Sequence, residues 1–189
     1  MQDVTSILLV GVGGQGTILA SKILTEGLLN EGYDVKMSEV HGMSQRGGSV
    51  NTQIRFGKKV YSPVIDLGSA DIIVAFEKME AARWLKYLKK EGTMIVNTVE
   101  IPSLTILIGK EKYPEDLIEI LTDKTKTITV DASKIAEELG NIKAQNIVLL
   151  GKLIKYLDLR NIDWEAIIKE NVPEKFLDLN IKAFRKGLE

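Results

Sequence analysis

Ile7-Leu8-Leu9-Val10-Gly11-Val12-Gly13-Gly14-Gln15-Gly16 reads as a buried strand, a tight turn and the start of a helix. A short apolar run that ends in glycines and passes into an amphipathic segment has that form. Gly11, Gly13 and Gly16 keep the G-x-G-x-x-G spacing of dinucleotide-binding turns. In such turns glycine lets the backbone approach a ligand, and the free N–H groups of the first helical turn lie at the positive end of the helix dipole. The spacing alone leaves two readings open: an anion cradle, or glycines that only close a βα turn.

Working outward, residues 6–10 are apolar throughout, which places the strand centrally in a parallel sheet covered on both faces. Ile18, Leu19, Ile23, Leu24 and Leu28 recur at helical spacing after it, and residues 34–40 follow as a second strand, parallel to the first by the handedness of βαβ units. Ser49 to Phe56 then alternates, Gly57-Lys58-Lys59 turns the chain, and Val60 to Val64 returns, a hairpin signature whose second arm Pro63 should end or place on an edge. The parallel pattern resumes with a strand at 70–76, a helix at 77–90, strands at 93–97 and 104–108, a helix at 114–121, a strand at 127–130 and a helix capped by Asp131 or Ser133. Helices at 142–157, 163–170 and 173–186 close the chain. Gly151 inside the first of these would cost about 1 kcal/mol against alanine, so a close helix contact is expected there. The expectation is a single domain over residues 1–189, of α/β class: a three-layer αβα Rossmann-like fold whose mostly parallel sheet carries an inserted β-hairpin and C-terminal helices.

Composition narrows the function. An apolar fraction of 44%, a charged fraction of 27% and a net charge of -1 describe a globular protein without the bulk positive charge of a nucleic-acid binder. No apolar run approaches the ~20 residues of a membrane span, and no leader precedes the first strand, so a cytoplasmic location is expected. The chain has no cysteine, which excludes disulfides and cysteine-ligated metal centres on it.

The second unusual stretch is Glu39-Val40-His41-Gly42-Met43-Ser44-Gln45-Arg46-Gly47-Gly48-Ser49. At the carboxyl end of a strand it should lie beside the Gly11–Gly16 turn, with an arginine whose planar fork suits an anion or a partner carboxylate. Gly11, Gly13, Gly14, Gln15, Gly16, Ser44, Arg46, Gly47 and Gly48 are therefore the candidate cofactor-binding residues, while no residue is expected to be the primary catalyst or a metal ligand. His41, the sole histidine, could act chemically if Glu39 oriented it, and Glu39 also stands where dinucleotide folds place a ribose-binding acid. Glu77, directly after a strand, is either a crevice residue or the acid that stabilises a helix start.

The glycine turn, Arg46-Gly47-Gly48, the distal Ile135-Ala136-Glu137-Glu138-Leu139-Gly140-Asn141 and the run Asn146 to Gly151 together resemble the gamma-type subunit of the 2-oxoacid:ferredoxin oxidoreductases over essentially the whole chain. The loop from Glu39 to Val50 resembles the indolepyruvate branch of that family. The resemblance implies oxidative decarboxylation of a 2-oxoacid to an acyl-CoA with electrons passing to ferredoxin. It also implies that thiamine diphosphate and the iron–sulfur clusters sit on a larger partner subunit, with CoA or phosphate contact as this chain's own share, and ferredoxin reached through the complex. Homodimerisation stays open, as do two other readings: a free-standing NAD- or flavin-binding oxidoreductase, and a purely structural interface subunit.

Overall fold

The computed structural model describes residues 4–39 and 47–189. Six strands form one mixed sheet: β1 (Thr5–Val12), β2 (Asp34–Glu39), β3 (Ser49–Gly57), β4 (Ala70–Ala75), β5 (Leu88–Asn97) and β6 (Lys126–Val130), in the spatial order β2-β3-β1-β4-β5-β6. From β1 to β6 the strands run parallel, each step a crossover. The alternation of β1 divides the core: Ile7 and Leu9 face one layer with Ile54, Ile72, Val74 and Ile95, while Leu8 and Val10 face the other with Ile73, Ala75, Met94 and Val96. The first layer holds α1 (Thr17–Asn30), α5 (Ala132–Glu138), α6 (Gln145–Leu157), α7 (Trp164–Asn171) and α8 (Leu177–Leu188); the second holds α2 (Lys78–Trp84) and α4 (Leu117–Lys124). The expected αβα layering is present.

Several local expectations are corrected. β2 has the direction of β1 but does not adjoin it, because β3 lies between them and pairs antiparallel with both. The expected second hairpin arm at 60–64 is not a strand. With both edges of β3 already satisfied, this segment instead lays Val60 and Ile65 into the core, and side chains meet its backbone: Val60 N–H donates to Asp34 Oδ2 (2.9 Å) and Ile65 N–H to Gln53 Oε1 (2.7 Å). Residues 104–108 form a single helical turn, α3 (Leu104–Leu107), between Ser103 and a left-handed Gly109, because so short an apolar run carries no decisive period. The helix expected over 77–90 stops at Trp84, and Leu88 already belongs to β5, where it is buried beside Ala70. Gly92 is thus no helix stop; a Cβ there would lie 2.7 Å from Leu88 Cδ1.

α6 and α8 cross where each carries a glycine. Cβ atoms built on Gly151 and Gly187 would lie 2.4 Å from the Phe184 carbonyl and 2.1 Å from that of Val148, so the backbones touch there as Gly151 suggested. Among the described residues no helix is long and apolar enough to cross a membrane.

Candidate functional site

The glycine turn and the start of β3 meet at the carboxyl rim of the sheet. Gly13 N–H donates to the Gly48 carbonyl (2.8 Å), continuing the ladder whose last pair is Val12 with Ser49. The two glycine stretches are neighbours, although the cause is an antiparallel strand and not the adjacent parallel end that the sequence suggested. Gln15 turns inward: its Oε1 accepts from Val12 N–H (2.8 Å), and its Nε2 donates to the Phe76 carbonyl (2.7 Å). A Cβ on Gly11 would meet Gln15 Oε1 and Phe76 Cβ, each at 2.9 Å. At Gly16, left-handed with φ +81°, a Cβ would lie 2.6 Å from Asn146 Nδ2, which donates to the Gly16 carbonyl (3.1 Å). Gly11, Gln15 and Gly16 therefore hold the turn's shape. Gly14, at φ +101°, and Gly47, at φ +88°, stand with open space above them. Ser44, Arg46 and His41 lie outside the described residues.

Between the turn and β2 lies a cleft of about 250 Å³ lined by Gly13, Gly14, Gly16, Thr17, Ile18, Glu39 and residues 50–52. It opens at the N-terminus of α1, where no side chain caps the first-turn N–H groups. Thr17 and Thr52, 7% and 2% exposed, line this cleft, and neither hydroxyl has a hydrogen-bond partner among the described residues. Both hydroxyls are reached from the cleft, where each can still take a hydrogen bond. Sequence reasoning missed both: Thr17 reads as a helix start and Thr52 as one of an alternating set. Glu39 lies at the cleft's other end and accepts from Ser21 Oγ (3.0 Å). A larger cleft of about 410 Å³ beside β6 is lined by Asp131, Lys152, Lys186 and Glu189, where Lys186 already pairs with Glu189.

Buried polar groups beneath the rim keep it rigid. Asn97 Nδ2 lies within 3.2 Å of the Phe76 carbonyl, Ser133 Oγ and Gln145 Oε1, and its Oδ1 accepts from Ala132 N–H (3.1 Å) and Ser133 N–H (3.4 Å). Glu80 receives Ser49 Oγ, Arg83 and Trp84 Nε1, which pins the first residue of β3 to α2. Glu77, fully buried, takes the helix-start role: it accepts from Glu80 N–H (2.9 Å), from Ile101 N–H (3.3 Å) and from the Tyr113 hydroxyl. Burial, then the Glu77 carboxylate, hold the Tyr113 hydroxyl protonated far above its ordinary range. The unfolded chain ionises this group near 10.0 while the folded chain retains the proton, so its contribution is whole below that pH and is lost as pH rises. Thermal melts from pH 8 to 11 should show Tyr113→Phe less stable than wild type at pH 8 and declining less steeply above pH 10; parallel profiles would sink this assignment.

With this geometry in view, the resemblances are specific. The description of pyruvate ferredoxin/flavodoxin oxidoreductase matches residues 6–189. The chain belongs to that family. It is 39% identical to the indolepyruvate oxidoreductase subunit IorB of Thermococcus kodakarensis and 40% identical to that of Pyrococcus horikoshii, each over 97% of this chain and 94% of the relative. The pyruvate oxidoreductase subunit PORC of Thermotoga maritima has the same fold, with a TM-score of 0.72 and 25% identity over 97% of this chain and 94% of that one. This member of the pyruvate ferredoxin/flavodoxin oxidoreductase family is of the subunit type of a 2-oxoacid oxidoreductase.

Proposed function

We propose that this chain is the non-thiamine-binding subunit of an oxidoreductase acting on indolepyruvate or another arylpyruvate, supporting its CoA-dependent decarboxylation to an acyl-CoA with electrons to ferredoxin. The arylpyruvate assignment rests on the two subunits named for indolepyruvate at about 40% identity. Iron–sulfur clusters do not fit here, since the chain has no cysteine, and among the described residues no cluster of three histidines or acids could hold a metal. The larger subunit is the place for them and for thiamine diphosphate.

This chain's share is an anion site on the rim that faces that subunit, and the observation that carries it is the uncapped N-terminus of α1 opening into a cleft that Gly13, Gly14, Thr17 and Thr52 line. Gly13, Gly14 and Gly16 line this place and Thr17 and Thr52 donate. The sequence adds Ser44, Arg46, Gly47 and Gly48 as further candidates for the phosphate of CoA. The cleft is smaller than the roughly 300–1,000 Å³ of pockets that enclose a whole ligand, so it takes only the phosphate-bearing part.

In the assembled enzyme, Arg46→Ala and the double change Thr17→Val with Thr52→Val should each raise KM for CoA about tenfold or more with little change in kcat, as expected when a charge-assisted or buried hydrogen bond to the substrate is lost. Steady-state kinetics on complexes of verified stoichiometry check this. Unchanged KM in both variants would rule out the anion site and leave a structural subunit.

A further inference from the structure

Glu39, which stands in the sequence where dinucleotide folds place a ribose-binding acid, is the last residue of β2 and lines the cleft together with the glycine turn. Strand register fixes which way it faces. Glu39 pairs with Thr52, and Thr52 pairs with Leu9, whose side chain belongs to the layer that holds α1. Partners across antiparallel strands share a face, with Cβ atoms about 4.5–5.5 Å apart, so the Glu39 and Thr52 side chains adjoin beneath α1. Ser21, fully buried on α1, meets the acid from above: its hydroxyl donates to Glu39 Oε1 (3.0 Å) and shares that proton with the Ile18 carbonyl (2.9 Å). A carboxylate offers about four lone-pair sites, so its acceptor capacity exceeds this bond.

The cleft is therefore electrically two-ended. One end is the N-terminus of α1, the positive end of a helix dipole that no side chain caps; the other is a carboxylate. Between them stands the Thr52 hydroxyl, on a side chain 2% exposed, reached from the cleft and without a hydrogen-bond partner among the described residues. A bare phosphate chain suits only the first end. A ribose 5′-phosphate suits both, because it carries a phosphate at one end and hydroxyl donors at the other. In dinucleotide folds the strand of the acid adjoins the glycine strand. Here β3 lies between the two, which sets β2 about 10 Å from β1 and places Thr52 in the gap.

We propose that Glu39 is the specificity-determining residue of this cleft: it accepts the 2′-hydroxyl of a ribose whose 5′-phosphate lies on the glycine turn, and it repels a phosphate at that position. The inference deepens the anion site proposed above and rests on it. The adenosine ribose of CoA bears a 5′-diphosphate, a 3′-phosphate and a free 2′-hydroxyl. The hydroxyl is the group that a carboxylate can accept from, and the 3′-phosphate is directed away from Glu39.

The test measures inhibition of the assembled enzyme, competitive with CoA, by three probes: adenosine 3′,5′-bisphosphate, its 2′-deoxy counterpart and adenosine 2′,5′-bisphosphate. Wild type should bind the first about tenfold or more tighter than the other two, as for a hydrogen bond to a charged acceptor and for a phosphate set against a like charge. Glu39→Ala should close that gap, weakening the first probe and tightening the 2′,5′ isomer. A residue that only held Ser21 would weaken all three alike. Glu39→Gln keeps an amide oxygen for the Ser21 hydroxyl, so it serves where the alanine variant folds poorly, and it too should tighten the 2′,5′ isomer. Equal binding of the first two probes in wild type overturns the inference, as does a preference that both variants retain. Competition by all three probes alike, weakened throughout by Thr17→Val with Thr52→Val, overturns it and leaves the anion site standing. Competition by none overturns the anion site and the inference with it.

Discussion

Gly151→Ala is expected to destabilise the chain by about 3 kcal/mol, lowering Tm by about 6–12 °C. In an exposed helix the change would stabilise by about 1 kcal/mol. Here the new methyl would lie 2.4 Å from the Phe184 carbonyl oxygen and 3.0 Å from Gly187 Cα, both backbone atoms, so no side chain can swing aside. α6 and α8 would have to part, and α6 carries the largest run of buried residues among the described helices. Overpacking therefore outweighs the propensity gain. Calorimetric melts check it, and a Tm at or above that of wild type would mean that the helices do not cross at this point.

Asn97→Ala should cost about 3–4 kcal/mol and disturb the rim together with the core. Alanine strips the acceptor from Ala132 N–H and Ser133 N–H, which open α5 in a buried setting, and each buried donor left unmet costs about 1–3 kcal/mol. It also removes the donor shared by the Phe76 carbonyl and Gln145, though Gln15 Nε2 and Ser133 Oγ still serve those two acceptors. Because Gln145 and Asn146 begin α6, and Asn146 holds the Gly16 carbonyl, slackening here reaches the glycine turn. Urea denaturation should give the loss in stability, and KM for CoA should rise in whatever complex assembles. A midpoint within error of wild type would show that Asn97 is not the joint between sheet and helices.

The two pairs of residues that frame the site were unequally visible in the linear chain. Gly13 and Gly14 announce themselves, because a tight turn at a strand end demands glycine and leaves N–H groups unpaired. Thr17 and Thr52 are 35 positions apart and carry no local signal; they converge only because β3 lies against β1. The same strand misled the reading of 49–64. Alternation at 49–56 identified a strand correctly, but a turn after it made the following residues look like its partner, whereas the partners are β1 and the earlier β2. Pairing is set by which edges are free, and a period of two says nothing of that. Glu77 was legible as a choice between two roles, and burial decided it for the helix start.

From residue order alone came the αβα class, the glycine turn, the absence of any thiolate to hold a cluster and the close contact at Gly151, since each follows from local periodicity, backbone freedom or composition. What tertiary structure decided was adjacency: the strand that separates β1 from β2, the convergence of Thr17 and Thr52 under α1, and the anchoring of the 101–113 excursion on Glu77. These depend on contacts between residues distant in the chain, and such contacts are selected by burial and by completing hydrogen bonds across the whole molecule, a sum that no short window contains.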